Sequence, residues 1–205
     1  MLKARSPQDL SAARAQLSDV GRGILKPPIA PSTPDYPERH TPSAGLFPPR
    51  DVSQICLDAY LACVHQRISV VYWPRFCRQF WGLYSDEVAV DTLRETIGLN
   101  FAVLALGALS SQDGGVRDMS WTLLTTAFSY LDLFADRIGT DQGITTFLIG
   151  MYLAEINKRS AGFVWLGSSI RIVQDRGLHF QGGHWSSIDG EMRKRVWYTL
   201  YVWDR

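Results

Sequence analysis

The sequence is short of several features that mark particular classes of protein. Its 21 Lys and Arg residues nearly balance 20 Asp and Glu residues, and the formal net charge of +1 argues against a basic nucleic-acid-coating protein or an acidic, solvating one. The longest unbroken run of apolar residues and glycine covers only residues 101–109. A membrane-spanning helix needs about 20 such residues, so none is expected. The N-terminus also lacks the apolar stretch of a secretory signal.

Cysteine is scarce as well. The three cysteines, Cys56, Cys63 and Cys77, are odd in number and match no metal-binding or redox spacing. We therefore expect reduced thiols in an intracellular compartment. Cys56 and Cys63 are seven residues apart on a predicted helix, so they should share one face as small core residues.

No motif of an enzyme or a metal site is present. The sequence contains no Gly-x-Ser-x-Gly, no His-Glu-x-x-His and no glycine-rich phosphate loop, so we expect no enzyme and no catalytic residue. His179 and His184 have no cysteine or carboxylate cluster beside them, which favours solvated loop histidines over metal ligands. The basic triplet at residues 193–195 is too narrow for a specific nucleic-acid surface, so no DNA-binding residue is assigned to this chain.

Proline and tryptophan divide the chain into two parts. Nine of the ten prolines lie in residues 1–50, whereas all seven tryptophans follow Tyr72. Residues 1–50 are therefore predicted to be a disordered, proline-rich tail and linker with at most one short helix, at residues 6–20. Residues 51–205 hold the large apolar side chains of a folded domain.

From residue 51 onward the apolar residues recur at helical spacing, and no strand is convincing. We predict an all-α fold, an irregular array of about seven helices. Pro74 suits the first turn of one helix. Gly139 is expected to end a helix that carries Met119 to Ile138, and Thr140 with Asp141 to cap the next one.

The last third of the chain carries the clearest local signals. Gly177 should end a helix in a left-handed turn, with a hydrophobic contact between Val173 and Leu178 of the Schellman type. Ser186 and Asp189 have the spacing of a capping box that opens the final helix. Glu191 and Arg195 should form an i,i+4 pair along that helix.

Two segments in this region resemble a known family. Residues 165–179 read WLGSSIRIVQDRGLH, here called the glycine segment, and residues 191–205 read EMRKRVWYTLYVWDR, the tryptophan segment. In this order and spacing they resemble the signature of the fungal-specific transcription factor domain. That domain is the middle homology region of binuclear zinc-cluster transcription factors, also described as the xylanolytic-activator regulatory domain. Residues 57–76 and 101–109 resemble its earlier helices, so the resemblance covers about residues 51–205.

The residues that carry the resemblance are expected to be structural. They are Trp165, Gly167, Arg171, Gly177, Leu178, His179, Arg193, Arg195, Trp197, Asp204 and Arg205. Gly167 should let a neighbouring helix approach closely, and Gly177 should supply a positive φ. We also expect Asp204 or Glu191 to pair with Arg171 or Arg195 inside the helical array.

The resemblance implies a regulatory domain of a fungal zinc-cluster-type regulator that modulates DNA-templated transcription in the nucleus. Its partners would be a small effector, co-regulator proteins, or other parts of its own protein, with no membrane. Zinc and DNA contact are implied only for the family's six-cysteine module, and residues 1–50 contain no cysteine. Two alternatives remain open: a helical protein-interaction scaffold without a transcriptional role, and a helical enzyme that binds a small molecule.

Family members continue into further helices beyond the Asp-Arg that ends the tryptophan segment. Residues 51–205 would thus correspond to the N-terminal portion of the family domain. An apolar patch should therefore be exposed near residue 205.

Overall fold

A computed structural model of the chain describes residues 39–40, 45–84, 92–132, 138–180 and 185–204. These residues belong to the second of two units into which the chain divides, Met1–Tyr36 and Pro37–Arg205. The predictions for residues 1–38, including the disordered tail and the short helix at residues 6–20, lie outside the described residues. They stay predictions.

The described residues confirm the all-α fold. They form eight α-helices, of which α4 is a single short turn, and one antiparallel pair of two-residue strands that the sequence did not predict. In chain order the elements are β1 (Arg39–His40), α1 (Arg50–Tyr60), α2 (Trp73–Gly82), β2 (Thr92–Leu93), α3 (Arg94–Ser110), α4 (Gly114–Asp118), α5 (Ser120–Ser129), α6 (Thr140–Glu155), α7 (Arg159–Asp175) and α8 (Ser187–Trp203). Arg39 pairs with Leu93 and His40 with Thr92.

Helices α3 and α6 form the centre of the fold. Residues 97–108 of α3 and residues 142–153 of α6 are all buried. A helix that is apolar on every side has no face for water, so neighbours must cover it all round. Helices α1, α5 and α6 pack around α3, α7 packs along α6, and α8 lies on α7.

Two pairs of helices approach each other closely at glycines, but not at Gly167, where the sequence predicted it. A Cβ at Gly107 in α3 would overlap the Cys56 carbonyl group of α1. A Cβ at Gly162 in α7 would lie 2.9 Å from the Gly150 carbonyl oxygen of α6. At Gly167 the nearest atom to such a Cβ is Asp204 Oδ1 at 4.0 Å, so the predicted close approach at Gly167 is wrong. Helix α7 meets α6 through the face that carries Gly162.

The start of α6 differs from the prediction. Helix α5 ends at Ser129, so no continuous helix reaches residue 138. Gly139 has φ −78°, and it lies at the N-terminus of α6 instead of ending α5 in a left-handed turn. Its amide donates to Glu95 Oε1 at 3.0 Å, and the Glu95 carboxylate fills the space that a Cβ would need. Helix α6 begins at Thr140, but neither Thr140 nor Asp141 makes the predicted side-chain cap, and the contact at the N-cap residue Gly139 comes from Glu95 of α3.

Helix α1 continues into a π-helix, Leu61–His65. Each hydrogen bond of a π-helix spans one more residue than in an α-helix. The residues of the π-helix therefore do not continue the buried face of α1 at the α-helical spacing. Cys56 is buried but Cys63 is exposed, so the prediction that both are core residues on one face is wrong for Cys63.

The packed part of the chain begins a few residues before the predicted boundary at residue 51. Leu46 and Phe47 pack against the core, and the Phe47 ring stacks on Phe101 with centroids 4.8 Å apart. The Tyr84 hydroxyl donates to the Pro48 carbonyl oxygen at 2.8 Å. These contacts hold residues 46–48 against α2 and α3.

Candidate functional site

The glycine segment ends helix α7 as predicted. Gly177 has φ +66°, which an L side chain rarely adopts. The Leu178 amide donates to the Val173 carbonyl at 3.0 Å and the Gly177 amide to the Gln174 carbonyl at 2.8 Å. These are the two hydrogen bonds of a Schellman motif, and Val173 and Leu178 are both buried, which confirms the predicted ending.

The tryptophan segment lies in α8, whose start is also as predicted. The Asp189 amide donates to Ser186 Oγ at 3.1 Å. The Ser186 hydroxyl in turn donates to Asp189 Oδ2 at 2.6 Å. This local cap fixes where α8 begins, and with it which residues of α8 face α7.

Arg193 joins the two segments. Its Nη2 donates to the Gly177 carbonyl oxygen at 2.9 Å and to the Arg176 carbonyl oxygen at 3.3 Å. These carbonyls lie at the C-terminal end of α7, where backbone acceptors lack helical partners and the helix dipole favours a positive charge. The guanidinium carbon also lies 4.0 Å from the centre of the Trp185 ring. The Arg193 side chain thus caps α7 from α8.

Aromatic rings add to this contact. The His179 ring lies 4.0 Å from the Phe180 ring and 5.7 Å from the Trp197 ring of α8. Trp165, at the other end of the glycine segment, meets Phe128 of α5 edge to face at 4.7 Å. The two segments are therefore in contact with each other and with the rest of the core.

The charged signature residues do not form a buried pair. Arg195 pairs with Glu191 at 2.9 Å as the spacing predicts, but both side chains are exposed. Arg171 and Asp204 are exposed as well, and Arg205 lies outside the described residues. The predicted ion pair inside the helical array is therefore wrong for the described part of the chain. The interior of this region contains the apolar side chains of Val173, Val196 and Leu200. Burying a charge among apolar side chains costs free energy that they cannot compensate.

The predicted apolar patch near the C-terminus is confirmed. On α8, Tyr198 is 51% exposed and Val202 68% exposed, and Tyr201 and Trp203 are also exposed. These four side chains belong to the last two turns of α8. Large apolar side chains grouped in this way are typical of a surface that contacts another protein segment.

A groove lies beside the joined segments. Its volume is about 330 Å³, and it runs between the connection before α2 and helices α2, α3, α6 and α8. Its apolar lining includes Val70, Val71, Phe76, Leu99, Ile144 and Val196, and its polar lining includes Arg75, Thr96, Asp141, Asp189 and Arg193. The volume is near the lower end of the roughly 300–1,000 Å³ typical of small-molecule sites.

Two polar contacts lie in the lining of the groove. Arg75 pairs with Asp189 at 3.1 Å, and that pair is half exposed. Asp141 accepts a hydrogen bond from the Thr96 hydroxyl at 2.9 Å. Burial raises the pKa of Asp141, and the Thr96 hydrogen bond and the charge of Arg75 act against this without outweighing it. Burial also raises the pKa of Glu95, with a contribution from the charge of Asp141.

Sequence reasoning missed the groove, since its lining comes from five parts of the chain. Of the signature residues that the structure describes, only Arg193 lines the groove. The pair Thr140–Asp141 predicts only a helix cap. No local pattern indicates that Asp141 faces Thr96 across a sequence separation of 45 residues.

Neither a metal site nor a membrane span occurs in the described part of the chain. Among these residues no three His, Cys, Asp or Glu side chains are close enough together to hold a metal ion, and His184 lies outside them. The zinc implied by the resemblance therefore finds no fitting ligand set there. No described helix is both long and apolar enough to cross a bilayer.

The chain is similar to fungal proteins that are named as regulators of transcription. The family model of the fungal specific transcription factor domain matches residues 57–205. An uncharacterized transcriptional regulatory protein of Schizosaccharomyces pombe is 30% identical over 116 residues, covering 52% of this chain and 18% of that protein. Transcription factor macR of Penicillium terrestre is 26% identical over 202 residues, covering 83% of this chain and 23% of that protein.

Cutinase transcription factor 1 alpha of Fusarium vanettenii is 26% identical over 180 residues, covering 81% of this chain and 18% of that protein. The chain thus spans between 18% and 23% of the length of these curated relatives. No solved structure is significantly similar to it.

Proposed function

The chain belongs to the fungal-specific transcription factor domain family, and on that premise we propose that it is the regulatory, middle homology part of a zinc-cluster-type regulator of transcription in the nucleus. The relatives named as a transcriptional regulatory protein and as transcription factors support this proposal. The structural observation that carries it is the contact of Arg193 with the end of α7, which joins the two signature segments.

In this proposal the chain regulates and does not catalyse. DNA contact and zinc binding are proposed only for a separate six-cysteine module, because residues 1–50 contain no cysteine and the described residues hold no metal cluster. The chain itself offers two surfaces through which output can be controlled. One is the groove beside Arg193, which suits a small effector, and the other is the exposed apolar surface of α8, which suits a protein partner.

A reporter assay tests the proposal. The full 205-residue chain is fused to a heterologous DNA-binding domain, and reporter output is compared with that of the DNA-binding domain alone in fungal cells. We expect the fusion to change output, and Arg193→Ala to reduce that change because it uncouples α8 from α7. Lys194→Ala is the matched control, since this neighbouring side chain is exposed.

Immunoblots of each fusion separate a change in regulation from a change in protein level. Output equal to that of the DNA-binding domain alone in every growth condition would contradict the regulatory proposal. Equal effects of the two substitutions at equal protein level would contradict the role given to Arg193.

A further inference from the structure

The charged groups that line the groove compensate one another. The lining holds two arginines and two aspartates, so its formal charge is zero. Arg75 pairs with Asp189 at 3.1 Å. Arg193 donates to the carbonyls that end α7, at the negative pole of that helix, and its guanidinium also lies over the Trp185 ring. An ionic ligand would have to separate one of these contacts before it found a partner.

The two remaining polar features of the lining do not change this balance. Asp141 lies in the first turn of α6, whose positive pole stabilises a carboxylate, and it accepts a hydrogen bond from Thr96. Burial raises the pKa of Asp141 and so favours its uncharged form. The Nε atom of Arg193 has no hydrogen-bond partner among the described residues, but it is buried, so a molecule in the groove does not reach it.

The polar groups that remain free to bind a ligand are uncharged. The Thr140 hydroxyl, the Gln79 carboxamide and the Tyr72 hydroxyl belong to residues that line the groove, and none of them forms a hydrogen bond within the described part of the chain. Thr140 and Ile144 are four residues apart on α6 and both line the groove. Residues at this spacing share a helix face, so the free hydroxyl lies beside an apolar wall.

We propose that the groove binds an uncharged, largely apolar small molecule, whose one polar group forms a hydrogen bond with the Thr140 hydroxyl while its hydrocarbon part lies against Phe76, Leu99 and Ile144. An ion loses part of its hydration on entering such a groove and finds no unpaired opposite charge to replace it. The volume of about 330 Å³ suits a molecule with one ring and a short chain. That such a molecule acts as an effector rests on the proposed regulatory function, whereas its binding does not.

Three probes of equal skeleton test the preference for an uncharged ligand. The purified full-length chain is titrated at neutral pH by calorimetry with the uncharged 4-phenylbutanamide, with 4-phenylbutylamine and with 4-phenylbutanoate. We expect the amide to bind about tenfold or more tightly than either ion, because only the ions lose hydration without a compensating charge.

A pair of isosteric substitutions tests the hydrogen bond. Thr140→Val removes the hydroxyl at nearly constant volume and should weaken binding of the amide by about three- to tenfold. Thr125→Val makes the same change at an exposed position of α5 outside the groove and should leave binding unchanged.

The site of binding is tested independently by nuclear magnetic resonance. Contacts between the ring protons of the amide and the methyl groups of Leu99 and Ile144 are expected. The inference is overturned if either ion binds as tightly as the amide, if Thr140→Val and Thr125→Val bind the amide equally, if the ring contacts only residues outside the groove, or if no probe binds at millimolar concentration.

The outcomes also separate this inference from the proposed function. An active reporter fusion together with a chain that ignores all three probes would remove the ligand site and leave the regulatory role. Selective binding of the amide by a chain that is silent in the reporter assay would do the reverse.

Discussion

Replacing Arg193 by alanine should loosen the contact between α7 and α8 without unfolding the centre of the domain. The Nη2 group makes a charged hydrogen bond of 2.9 Å to the Gly177 carbonyl, and such a bond contributes about 1.5–3 kcal/mol. The second carbonyl, of Arg176, is 3.3 Å away and adds little. Stacking of the guanidinium over the Trp185 ring adds about 0.5–1 kcal/mol at a partly exposed site.

One feature of Arg193 acts in the opposite direction. Its Nε is buried and has no hydrogen-bond partner in the described part of the chain, which costs about 1 kcal/mol or more. The net loss of unfolding free energy for Arg193→Ala is therefore expected to be about 1–3 kcal/mol. For a chain of this size that corresponds to a fall in Tm of roughly 2–12 °C.

Urea denaturation followed by circular dichroism measures this loss. Lys194→Ala should change the unfolding free energy by less than about 0.5 kcal/mol, because its side chain is exposed. Arg193→Lys should recover only part of the loss, since an ammonium group cannot reproduce the planar stacking on Trp185. If Arg193→Ala is as stable as Lys194→Ala, the guanidinium does not hold the two segments together and the reasoning is refuted.

Three further predictions follow from the packing and the ionisable groups. Gly107→Ala should destabilise the protein by at least about 2 kcal/mol in urea denaturation, because the added Cβ would overlap α1. Gly167→Ala should be neutral or stabilising by up to about 1 kcal/mol. Equal effects of the two substitutions would contradict the assignment of the close helix approach to Gly107. The pKa of Asp141 is raised in the folded state from its ordinary 3.8, so its contribution to stability is complete below that pH and is lost as the pH rises through the folded-state value. Unfolding free energies measured from about pH 4 to pH 7 should therefore fall less steeply with pH in Asp141→Asn than in the wild type, and identical slopes would exclude this group as a source of the loss. Ellman's reagent should label Cys63 rapidly in the folded protein, and Cys56 only on unfolding because it is buried and burial raises its pKa to about 11; a fast phase that survives Cys63→Ser and disappears in Cys56→Ser would contradict the exposure of these thiols.

Features that depend on a few consecutive residues were predictable from the sequence. The turn at Gly177 needs a residue that tolerates a positive φ and two apolar neighbours at fixed spacing, and all three are in one segment. The cap formed by Ser186 and Asp189 likewise spans only four residues. Local geometry sets both features, so distant parts of the chain do not alter them.

Features that depend on the approach of distant segments were missed or misplaced. The sequence predicts that Gly139 ends a helix, but a carboxylate from α3 occupies the space beside Gly139 and accepts its amide at the start of the next helix. Gly167 was expected at the close crossing, which belongs to Gly162 because that residue faces α6. Cys63 was predicted in the core but is exposed, because it lies in the π-helix, which changes the direction in which the side chains after α1 point.

The sequence by itself determined that this chain is helical from about residue 51, that α7 ends at Gly177 and that α8 begins after Ser186. It also determined which family the chain is similar to. Apolar periodicity and short-range hydrogen bonds depend on neighbours along the chain, so the sequence alone indicates them. Only the tertiary structure decided that Arg193 caps α7 and that Arg171, Arg195 and Asp204 remain on the surface. It also decided that Thr96 and Asp141 meet in a groove with Arg75 and Asp189. These arrangements depend on the packing of helices that are far apart in the sequence, and packing is set by shape and burial over the whole domain.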